Sequence, residues 1–69
     1  MIPRDITLAE YIESKGDVPG FLQADLKKMS ENFETLELEE LQKMRVRVKS
    51  YMGLSVAEDF DEYVKEMKQ

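Results

Sequence analysis

Histidine and cysteine, the side chains that most often do chemistry near neutral pH, are absent from this sequence. That removes the commonest general base, the commonest thiol nucleophile and most transition-metal ligands. Carboxylates and lysines remain, and these catalyse only where a desolvated pocket shifts their pKa values. A chain of 69 residues has little room for such a pocket. The sequence therefore reads as a non-enzyme and calls for no cofactor, metal ion or small-molecule substrate.

Two charged groupings still need a reading. Glu58, Asp59, Asp61 and Glu62 could be taken for a calcium site. An EF-hand loop requires alternating oxygen ligands, a glycine at the sixth position and a closing glutamate. Counted from Asp59, the sixth position is Val64, and the segment reads as continuous helix. A solvated helix face is the simpler account.

The other grouping is basic. Lys43, Arg47 and Ser50 share one outer face of a helix, with Arg45 and Lys49 at its flanks. Such a stripe can touch phosphates. The net charge of −5 opposes binding to a polyanion. The stripe also offsets the acidic first turn of its own helix, and its methylene stems can cover core edges. A helix-turn-helix reading of Thr7 to Lys28 meets a similar difficulty. Its recognition helix would open Pro19-Gly20-Phe21-Leu22-Gln23-Ala24, where only Gln23 could read a base edge.

The elements that carry these residues follow from glycine, proline and apolar spacing. Pro3, the Gly16–Gly20 segment and Gly53 cut the chain into helical pieces. The first helix is expected from about Leu8 to Lys15, with Thr7 and Glu10 as a capping box and Gly16 stopping it in the left-handed conformation. The second is expected from about Pro19 to Asn32, with Asp17 as its cap candidate and Val18, Leu22, Leu26, Met29 and Phe33 as its stripe.

The third is expected from about Leu36 to Met52, capped by Thr35. Its inner face is Leu38, Leu41, Met44, Val48, Tyr51 and Met52. The fourth is expected from about Val56 to Met67, with Ser55 and Glu58 as a second capping box. Its inner face is Val56, Phe60, Tyr63, Val64 and Met67. The alternation in Leu36–Glu39 and Met44–Val48 also fits a hairpin, but Glu40–Lys43 lacks turn residues.

The expected fold is all-α: one domain over residues 1–69, a compact bundle of three to four short amphipathic helices. With 42% hydrophobic and 36% charged residues, the chain can bury a thin core beneath a wet surface. The opening MIPRDITLAE has no apolar stretch of a signal peptide, and no run approaches the ~20 apolar residues of a membrane span. The absence of cysteine suits a reducing cytosol, so a cytoplasmic protein is expected. Its size and leading Met fit a free-standing small protein.

Some apolar residues are surplus to the inner faces. Leu36 and Val46 fall on the far side of the third helix, Phe21 at the rim of the second, Leu54 in the last connection, and Ile2 and Ile6 ahead of the first. Surplus apolar residues over a thin core point to a protein partner or self-association. The function expected is a small acidic interaction module (regulator, inhibitor or adaptor) docking a helical face through Leu36, Val46, Arg47 and Lys43. The alternatives are a small helix-turn-helix-like DNA-binding regulator and a structural component of a larger assembly.

Overall fold

A computed structural model describes residues 2–68. Four α-helices follow in order: α1 (Leu8–Glu13), α2 (Gly20–Glu31), α3 (Leu38–Met52) and α4 (Leu54–Met67), with a 3₁₀ turn, Phe33–Thr35, between α2 and α3. The segment that alternates like a hairpin is the body of α3.

α1 starts where local chemistry demands. The Thr7 hydroxyl accepts the Glu10 amide at 3.1 Å, and the Glu10 carboxylate accepts the Thr7 amide at 2.9 Å. α1 ends at Glu13, two residues short of the expected boundary. Ser14 caps it in right-handed geometry, and the Lys15 amide closes back on the Ile12 carbonyl at 3.0 Å. Gly16 is not left-handed, because the tight turn is already made before it. Asp17 does not cap α2. Pro19 occupies that position, and no side chain there bonds the first turn.

The third helix begins at Leu38, not Leu36. Phe33–Thr35 winds tightly, and the Thr35 hydroxyl donates back to the Asn32 carbonyl at 3.0 Å instead of capping forward. Leu36 and Glu37 are then extended, and Glu37 enters α3 without a side-chain cap. The fourth helix begins earlier than expected, at Leu54. Gly53 alone separates it from α3, so the Ser55–Glu58 capping box does not form.

α3 packs most extensively on α4, α1 packs on α2, and α1 also reaches α4. The core lies where these meet: Leu8 and Ile12 from α1, Leu22 and Leu26 from α2, Val48 from α3 and Phe60 from α4 are almost fully enclosed. Burying each such side chain contributes about 1.5–3 kcal/mol. Ile2 is buried as well, against α4: its amide lies 3.5 Å from the Glu66 carboxylate. Ile6 is half-buried, and its carbonyl accepts the Tyr63 hydroxyl at 2.7 Å. The two isoleucines thus cover α4.

Two expected inner-face residues of α3 are outside. Leu38 is 65% exposed at the first turn, and Tyr51 is 55% exposed at the last. Both flank the buried stripe of Leu41, Met44 and Val48, at opposite ends of the helix. Among the described residues no buried side-chain nitrogen or oxygen lacks a hydrogen-bond partner.

Candidate functional site

α2 and α3 run past each other without the close backbone packing of α3 on α4 or of α1 on α2. Side chains span the seam. Phe21 and Asp25 lie one turn apart on α2, and Arg47 and Tyr51 lie one turn apart on α3. The Phe21 and Tyr51 rings meet edge-to-face, centroids 5.0 Å apart and planes at 80°. One turn along, Arg47 Nη2 is 2.7 Å from Asp25 Oδ2. The two contacts therefore read as successive rungs between antiparallel helices.

The aromatic rung is not core. Phe21 is 53% exposed, so much of both rings faces solvent. On α3 the outward stripe continues through Lys43, Val46 and Ser50 at helical spacing from Arg47 and Tyr51. Val46 is 64% exposed. Lys43 is also exposed and makes a 3.6 Å pair with Glu39 within its own helix. Such an exposed pair restrains Lys43 weakly.

Of the four residues singled out from sequence, Val46, Arg47 and Lys43 come together on this stripe. Leu36 does not join them. It is half-buried against the core, because it precedes α3 and its direction is not set by helical phase. Arg45 also leaves the basic grouping: it turns to α4, with Nε 2.6 Å from Asp61 Oδ2. Sequence reasoning missed Tyr51 and Asp25 as members of the face. The available signal was the matched i,i+4 spacing of Phe21/Asp25 and Arg47/Tyr51, each an aromatic beside a charge of opposite sign.

A separate concavity lies elsewhere. A cleft of about 540 Å³ opens between the N-terminal segment, the 3₁₀ turn and the end of α4. Its volume is within the range of small-molecule sites, but the hydroxyl groups that line it are committed to the fold. Tyr63 donates to Ile6, Thr7 accepts from Glu10, Ser30 bonds α1, and Thr35 donates to Asn32. The acidic start of α4 is likewise a helix surface. Among the described residues no group of three or more acidic, histidine or cysteine side chains is placed to hold a metal ion. No described helix is long and apolar enough to cross a membrane.

No family model, curated protein or solved structure matches the chain.

Proposed function

We propose that the protein is a small non-enzymatic interaction module that docks a protein partner on the outer stripe of α3 and the adjoining edge of α2. The observation that carries this reading is the Phe21–Tyr51 pair, which holds two half-exposed aromatic rings together at the surface. Aromatic and arginine side chains are the residue types that anchor protein interfaces. Here they come with Val46 as an apolar neighbour and with Lys43 and Arg47 as a basic margin.

Pre-organisation supports the same reading. Asp25 holds Arg47, and each ring of the pair holds the other, so little side-chain freedom remains to be lost on docking. The basic margin on a chain of net charge −5 favours a partner surface that sets carboxylates around an apolar ridge. Regulator, inhibitor or adaptor are the roles that fit a module of this kind, acting in the cytoplasm, where a chain without cysteine needs no oxidative folding.

The test is co-purification from the native host with the native chain and with a Val46→Asp, Lys43→Glu variant. Both positions are exposed, so the fold should persist, and circular dichroism checks that it does. A bound protein retained by the native chain and lost from the variant supports the reading. Retention of every bound protein by a folded variant removes this face as the interface.

A further inference from the structure

We propose that Gly53 is the hinge of an exchangeable hairpin. Two copies of the chain open at Gly53, each straightens α3 and α4 into one helix, and each α4 packs on the other copy. The interior contacts are used here, not the outer stripe of α3, so the proposal stands apart from the docking face.

The connection itself is the first observation. One residue joins the two helices, and its backbone is at φ 99°, ψ 169°, a region open essentially to glycine alone. A Cβ added there would meet nothing within 4 Å, so a side chain would act only through the backbone. The hydrogen-bond ladders of both helices end on this one residue. The Gly53 amide bonds the Lys49 carbonyl at 3.0 Å, and the Ala57 amide bonds the Gly53 carbonyl at 3.2 Å, both four residues apart. No side chain caps the start of α4. Straightening would pair the amides of Leu54, Ser55 and Val56 with the carbonyls of Ser50, Tyr51 and Met52.

The sequence supplies an independent observation. Val48, Met52, Val56 and Phe60 recur every four residues straight through Gly53. In one straight helix this spacing drifts by about 40° per step, so the apolar stripe runs on without a break while winding about a third of a turn round the helix between Val48 and Phe60. Since α3–α4 is the most extensive helix contact, exchange of α4 recreates between copies what it removes within each. Short, conformationally demanding hinges favour such exchange.

Arg45 and Asp61 touch across α3 and α4, and the chain has no cysteine of its own. An Arg45→Cys, Asp61→Cys variant treated with a short bismaleimide therefore reports the hairpin directly. A closed hairpin links within one chain, and an exchanged one gives a covalent dimer on a denaturing gel. Adding Gly53→Ala, which penalises only the closed turn, should raise the interchain product about tenfold or more at equal concentration. It should raise the light-scattering dimer in step. Equal interchain product with and without Gly53→Ala overturns the proposal, as does a dimer whose links are all intrachain. If Gly53→Ala does not fold, the Gly53 chain is refolded over rising concentration. An interchain fraction that climbs with concentration supports exchange, and purely intrachain links at every concentration overturn it.

Discussion

The Ser30 hydroxyl caps a helix to which it does not belong. It accepts the Ala9 amide in the first turn of α1 at 3.0 Å while donating to the Leu26 carbonyl of its own helix at 2.8 Å. With Thr7 and Glu10 holding each other's amides, α1 has three of its free N-terminal amides satisfied, two locally and one from α2. This explains how a six-residue helix persists, since helices that short do not form alone in water.

Ser30→Ala leaves the Ala9 amide without a partner beside the core. The expected loss is about 1–2 kcal/mol. Thermal unfolding of the two proteins at one pH checks it. A melting temperature unchanged by the substitution would show that α1 does not depend on this bond.

Glu10 gives an acid-side prediction. The Thr7 backbone amide, and then the Thr7 hydroxyl, hold its carboxyl below the usual carboxylate range. A lowered folded pKa contributes stability above the unfolded value of about 4.3 and loses it as pH falls through the folded value. Thr7→Ala should therefore lower the melting temperature by a few degrees near neutrality. Its acid-unfolding curve should also become slightly shallower, because the hydroxyl's share is lost while the Thr7 backbone amide, the larger contributor, remains. Parallel acid curves for both proteins would contradict the hydroxyl's part in it.

Tyr63 gives the opposite edge of the pH range. Burial raises its phenol pKa, and the nearby Glu10 charge raises it further. Its ring packs on Tyr11 and Phe33, with centroids 5.6 and 5.3 Å away, and its hydroxyl holds Ile6. The folded state keeps the phenol proton longer than the unfolded chain does. Stability is thus intact below about pH 10 and falls as pH rises from there to the folded value. Tyr63→Phe keeps the ring stacking and loses the bond to Ile6, costing about 1 kcal/mol at neutral pH. Its melting temperature should then decline less than the native protein's between pH 9 and about 11. An equal decline would place the alkaline sensitivity elsewhere.

What the sequence disclosed follows a physical divide. The Thr7–Glu10 box and the stripe of Leu41, Met44 and Val48 were legible because their partners lie within one or two turns. Ser30 was not, because its partner Ala9 is 21 residues away and nothing local marks a cross-helix cap. The start of α4 was misplaced because Ser55 and Glu58 have capping-box spacing, yet Gly53 turns the chain before either is needed. On the candidate face, Val46 was legible from helical phase alone. Leu36 was not, since phase has no meaning ahead of Leu38, and Tyr51 lies at the flank of the buried stripe, where phase alone does not separate inside from outside.

The docking face is tested most directly by photo-crosslinking in the native host. A benzophenone amino acid replaces Val46 in one chain and Glu62, on the exposed side of α4, in a control. A discrete adduct from position 46 that is missing from position 62 is the result expected, its mass naming either a partner or a second copy. No adduct at 46, or the same adducts from both positions, would contradict the account.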